Sequence, residues 1–161
     1  RRNGSCGYLR KPSFNGSDQP VFKIGVRVLS GSCLPKPMGA KSGEFIDPYV
    51  TVTLHDIRNT TVVQSSHSTP NVSDNGFCPV WKEKSAKIFP VYSPDLAMLQ
   101  FGLREYDITL DDDVGYAAIP VSCLRTGYRS IQLFDRNNTR TGHFSCASLL
   151  VEITIHTAIS K

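Results

Sequence analysis

The chain has no apolar run approaching the roughly 20 residues that a membrane-spanning helix needs. It opens on Arg1-Arg2-Asn3-Gly4, with neither an initiating Met nor the apolar stretch of a secretory signal, and is expected to be a fragment of something longer. There is no G-x-S-x-G, no P-loop and no H-x-H or H-x-x-x-H pattern, so catalysis has no motif to rest on. His55, His67, His143 and His156 therefore read as strand-end or surface residues. The five cysteines are odd in number, widely spaced and without a C-x-x-C pair, which indicates neither a zinc site nor a disulfide framework. Reduced thiols in a cytoplasmic protein are the simplest account. Acid is scarce at the start: Asp18 is the only carboxylate among the first 40 residues, against Arg1, Arg2, Arg10, Lys11, Lys23, Arg27 and Lys36. The net charge of +4 suits an anionic surface. Nucleic acid is not an expected partner, because the basic residues lack interleaved aromatics.

What is present is alternation. Phe22, Ile24, Val26 and Val28 alternate with polar or small residues from Val21 onward, the pattern of a half-buried strand. Val50, Val52 and Leu54 form a second, and the β-branched run Thr60 to Ser68 a third. A fourth strand is expected from Trp81 to Phe89, followed by a connection from Pro90 to Leu96. A fifth carries Leu99, Phe101 and Leu103 inward. Gly115 to Val121 and Ser130 to Phe134 are shorter candidates, and Leu149, Val151, Ile153 and Ile155 mark the last. At 161 residues with 40% hydrophobic and 20% charged residues, one main domain is expected. Eight short strands without helical period point to an all-β, eight-stranded antiparallel Greek-key β-sandwich.

Leu103 to Gly115 concentrates five of the fourteen carboxylates: Glu105, Asp107, Asp111, Asp112 and Asp113. Residues two apart on a strand end share a face, so Glu105 and Asp107 can act together. Carboxylates crowded in this way protonate, splay into water or take up a cation; calcium accepts six to eight oxygens in irregular geometry. A solvated turn is the other reading of such a run. If successive strands alternate direction, the loops after strands one, three and five leave from the same end of the sandwich. Asp47, Asp74 and the acidic stretch would then face one another, which favours the cation.

Asp47-Pro48-Tyr49-Val50, Asn75-Gly76-Phe77 with Pro79-Val80-Trp81, Glu105-Tyr106-Asp107 and the later Asp-Val-Gly resemble the signature of a C2 domain, the calcium-dependent phospholipid-binding sandwich. The opening Asn3 to Pro12 resembles the segment that ends the catalytic barrel of eukaryotic phosphoinositide-specific phospholipase C, in which a C2 domain follows directly. The resemblance implies a barrel tail and linker over 1–20, a C2 domain over 21–157 and a short tail over 158–161. It implies calcium held by Asp47, Asp74, Glu105, Asp107 and either Asp112 or Asp113, with the Phe45 carbonyl as a backbone ligand. Glu105 departs from the family's usual aspartate and Asp74 from its usual asparagine, and Lys41 could stand in for a cation. Ile108, Leu110 and Met38 are placed to dip into a membrane interface, or to fold back on their loops. Lys82 and Lys84 would add attraction to an anionic leaflet, or simply solubilise a strand. The implied whole is a monomeric module, peripheral at membranes and inactive by itself, that docks a lipase on anionic phospholipid or packs as a calcium-independent scaffold against the parent's catalytic domain.

Overall fold

The computed structural model describes residues 19–37, 45–59, 61–107 and 111–157. Eight strands follow in order: β1 (Phe22–Ser32), β2 (Pro48–Arg58), β3 (Thr61–Ser68), β4 (Lys87–Val91), β5 (Met98–Glu105), β6 (Asp112–Pro120), β7 (Gly127–Gln132) and β8 (Ser148–Thr157). They form two antiparallel four-stranded sheets, ordered β4-β1-β8-β7 and β3-β2-β5-β6. Among the described residues the only helical turns are the 3-10 segments Val121–Cys123 and Gly142–Phe144.

The period-two alternation is realised as burial. Ile24, Val26 and Val28 of β1 face Val151 and Ile153 of β8 on the inner side of one sheet. Val50, Val52 and Leu54 of β2 oppose Leu103, Phe101 and Leu99 of β5 on the other. Trp81 and Phe89 add the aromatic bulk between them. Removing this apolar surface from water is the main favourable term holding the layers together.

The fourth strand is shorter than its composition suggests. Trp81 to Ala86 does not pair as a strand; β4 begins at Lys87 and runs through Pro90 and Val91, which had the look of a connection. The reason lies on β1, whose ladder shifts register between Val28 and Ser30. There Leu29 accepts the Trp81 N–H at 2.9 Å, while Val28 donates not to a backbone carbonyl but to the Glu83 carboxylate at 3.0 Å. A side chain takes the ladder's place, and the chain swings out between Lys82 and Ala86. Likewise β7 ends at Gln132, and Phe134 makes only an isolated bridge to Tyr116.

At the far end of the sandwich from the acidic segment, Asp56 is 3% exposed yet satisfied by three backbone donors: Ile57 at 2.7 Å, Tyr92 at 2.6 Å and Ser93 at 3.1 Å. This carboxylate fastens the end of β2 to the turn after β4. Asp56→Ala would strand those donors, each orphaned group costing about 1–3 kcal/mol. The expected result is a fall in unfolding free energy of roughly 3 kcal/mol or more in urea titration, with Asp56→Asn recovering part of it.

Candidate functional site

The sheets deliver three loops to one end: the β1–β2 loop through Asp47, the β3–β4 loop around Asp74 and the β5–β6 loop after Glu105. Asp47 meets both others. Its Oδ1 accepts the Asp74 N–H at 2.9 Å, and its carbonyl accepts the Tyr106 N–H at 3.1 Å. Asp74 takes a left-handed φ of 56°, a conformation that Asp tolerates better than most residues. Two positions later, a Cβ on Gly76 would land on the Ile46 side chain, which is itself buried. The first two loops therefore touch through backbone as well as side chain. The β3–β4 loop is also zipped to β2, where Thr69 exchanges bonds with Val50 and Val72 donates to Pro48 at 3.1 Å. Trp81 closes the base, its indole N–H reaching the Pro48 carbonyl at 3.2 Å; it is a core residue rather than a rim anchor.

The β5–β6 ladder fixes the register of the acids. Leu103 opposes Gly115, but Arg104 opposes Asp113 and Glu105 opposes Asp112, because Val114 is inserted as a bulge and kept buried. Asp113 thus lies on the outer face, where its Oδ1 accepts Arg104 Nε at 2.7 Å. Asp112 shares the face of Glu105, so two carboxylates stand directly across a ladder, where like charges repel. Asp111 is engaged differently: its Oδ2 accepts the Tyr49 hydroxyl at 2.6 Å and its Oδ1 the Asp107 N–H at 3.2 Å.

Of the residues singled out from sequence, Asp47, Asp74, Glu105, Asp107 and Asp112 are brought to this end, and Asp113 is turned to its outer rim. Among the described residues no three acidic, histidine or cysteine side chains are grouped closely enough to hold a metal ion. The donor chemistry itself, carboxylate oxygen on three loops, suits a hard cation such as calcium. Met38, Lys41, Ile108 and Leu110 lie outside the described residues. Lys82 and Lys84 are exposed, but on the excursion before β4 rather than on a strand. Phe45, expected to contribute its carbonyl, has a side chain 73% exposed, and Phe77 and Tyr106 of the other two loops are 65% and 52% exposed. Sequence reading missed this aromatic set, although each member adjoins an acidic or turn residue. It also missed the bond between Tyr49 and Asp111, which spans the start of β2 and the β5–β6 loop.

The C2 domain family model matches residues 22–136, and the chain belongs to that family. Its relatives are lipid phosphodiesterases and their inactive kin. It is 34% identical over 168 residues to the 1-phosphatidylinositol 4,5-bisphosphate phosphodiesterase delta-1 of Homo sapiens, covering 95% of this chain and 21% of that protein. It is 31% identical over 170 residues to the Inactive phospholipase C-like protein 2 of Mus musculus, covering 96% of this chain and 14% of the relative. The chain thus spans about a fifth or less of these relatives. Among solved structures, L. pealei PLC21 superposes with a TM-score of 0.70 at 25% identity over 92% of this chain and 18% of that one. A C2 domain of plant Extended Synaptotagmin 1 shares the fold, with a TM-score of 0.69 at 18% identity over 88% of this chain and 99% of its own.

The Tyr49 hydroxyl, and after it the Asp107 N–H, hold the Asp111 carboxyl below the usual aspartate range. Burial, and then the bond to Asp111, push the Tyr49 phenol up. A carboxyl depressed in the folded state stabilises above its unfolded pKa, and that contribution is lost as pH falls through the folded value. At a group only partly withdrawn from water the effect on global stability is small. Tyr49→Phe is expected to return the Asp111 titration midpoint upward toward that of an ordinary aspartate, as followed by carboxyl NMR. An unchanged midpoint would show that the latch does not form in solution.

Proposed function

We propose that the chain is a calcium-assisted membrane-docking module of a phosphoinositide phosphodiesterase. The observation that carries this reading is the convergence of carboxylates from three loops beside exposed aromatic side chains. Asp47, Asp74, Glu105, Asp107 and Asp112 concentrate negative charge at one end and would repel an anionic leaflet. Calcium bound there would supply positive charge and open coordination positions for lipid phosphate oxygens. The loop carboxylates would orient the ion, and linkage requires ion and lipid each to strengthen the other's binding. Phe45, Phe77 and Tyr106, exposed at the same end, offer apolar surface to the interface. Lys82 and Lys84 would each contribute about 1 kcal/mol near an anionic surface.

A second reading has its own support. The bonds from Asp74 to Asp47, from Tyr49 to Asp111 and from Arg104 to Asp113 join the loops and rim without a cation. The outer face of the β4-β1-β8-β7 sheet exposes Ile88, Tyr128 and Leu150 at 43%, 63% and 40%. That face suits packing against a catalytic domain in a longer parent, as a calcium-independent scaffold.

Sedimentation with phosphatidylserine vesicles separates the two. Docking requires pelleting with calcium, release by chelator and loss of calcium-dependent pelleting in Asp47→Asn and Asp107→Asn, with circular dichroism unchanged. Phe45→Ser is expected to weaken pelleting several-fold while leaving calcium binding by calorimetry intact. Equal pelleting in calcium and chelator, with no heat of calcium binding, would leave the scaffold reading.

A further inference from the structure

Two cysteines far apart in sequence, Cys33 and Cys78, flank one backbone hydrogen bond at the base of the loop end, that between Leu34 and Phe77. Past its bulge, β1 is accompanied by the segment leading into the excursion before β4. Trp81 donates to Leu29 at 2.9 Å, Gly31 to Pro79 at 2.9 Å and Leu34 to Phe77 at 3.0 Å, and Ser30 bridges Val80. Between the last two bonds the pairing slips by one residue, where Cys33 adopts a left-handed φ of 53°. The Leu34–Phe77 bond sets Cys33 and Cys78, the next residue along each segment, on the same side of it. Residues so placed in a regular antiparallel pair have Cα atoms about 4.5 Å apart, within the roughly 4.4–6.8 Å that a disulfide takes. The Cys78 backbone is held in place by Asn75, which donates to its carbonyl at 3.2 Å and accepts its N–H at 3.3 Å. Both thiols are free; Cys33 is half-buried and Cys78 exposed. Cys123 closes a 3-10 turn and Cys146 precedes β8, and among the described residues neither has a second cysteine across a ladder from it.

We propose that Cys33 and Cys78 form a modification site: a reversible intramolecular disulfide made by reaction with hydrogen peroxide. The exposed Cys78 sulfur attacks one peroxide oxygen, the O–O bond breaks, and a sulfenic acid and one water result. The Cys33 sulfur then displaces the hydroxyl from Cys78, forming the S–S bond and a second water. The thiols lose two electrons and two protons, and the peroxide is reduced to two waters. A dithiol reduces the bond by exchange, restoring both thiols and itself becoming a disulfide. The bond would tie the departing end of β1 to the β3–β4 loop, adding a covalent link where Ile46–Gly76 and Asp47–Asp74 already join the same two loops. The site does not depend on calcium.

The test is peroxide treatment of the 161-residue chain at low concentration, alkylation and non-reducing peptide mass mapping. The expected product is a linked Cys33–Cys78 peptide, two hydrogens lighter than its parts, formed within one chain and abolished by dithiol. Cys123→Ser with Cys146→Ser should leave it unchanged, and Cys33→Ser should leave Cys78 as sulfenic acid or over-oxidised. The proposal is overturned if both residues stay alkylatable while Cys123 or Cys146 oxidises, if Cys78 joins Cys6 instead, or if wild-type Cys78 over-oxidises without linking. Mapping the wild-type chain keeps the test decisive even where a serine variant folds poorly.

Discussion

Asp47 is bonded to both of the loops that it faces, through its carboxylate to the Asp74 backbone and through its carbonyl to the Tyr106 backbone. The three loops lie beyond the strand ladders, and the core lies beneath them. Asp47, just before β2, is where the bonds of all three loops meet, supported by Ile46 packed against Gly76 and by the bonds of Tyr49 to Asp111 and of Val72 to Pro48. A carboxylate that positions neighbouring backbone has one lone pair less to offer an ion. Asp47 is therefore both strut and candidate ligand, and in a carboxylate cluster those roles compete for the same lone pairs.

The sandwich itself was largely visible in the sequence, for a physical reason. Antiparallel sheets with one buried face impose a period of two, and Ile24-Val26-Val28, Val50-Val52-Leu54 and Leu99-Phe101-Leu103 keep it without interruption. The failures occur where something other than periodicity decides the backbone. Trp81 to Ala86 has strand-like composition, yet the Glu83 carboxylate takes the β1 donor that a strand would have used. Nothing in the local pattern distinguishes a glutamate that faces water from one that completes a ladder.

The candidate site was legible in kind and illegible in register. The carboxylates and their loops followed from strand alternation, but which of Asp111, Asp112 and Asp113 faces Glu105 depended on one inserted residue, Val114. A bulge leaves no signature in a run of like side chains. Arg104 carried a clue in retrospect, because a strand cation on the outer face seeks a partner across the ladder, and Asp113 supplies it. Likewise, the approach of Cys33 and Cys78 to one backbone bond could not be read from spacing, since the register of the two segments slips by one position where Cys33 is left-handed.

The buried bulge at Val114 also bears on how such a loop can change over evolutionary time. Because Val114 is the extra residue of the ladder, deleting it would straighten the strand and leave Arg104 opposite Asp113 and Glu105 opposite Asp112, whereas a regular pairing that kept it would set Asp113 opposite Glu105. In that second case the carboxylate across from Glu105 would be the one now neutralised by Arg104, and the rim would lose its internal ion pair. Charge at the mouth of the sandwich can thus be retuned by a slip of register alone, a route that a comparison of aligned residue types would not detect.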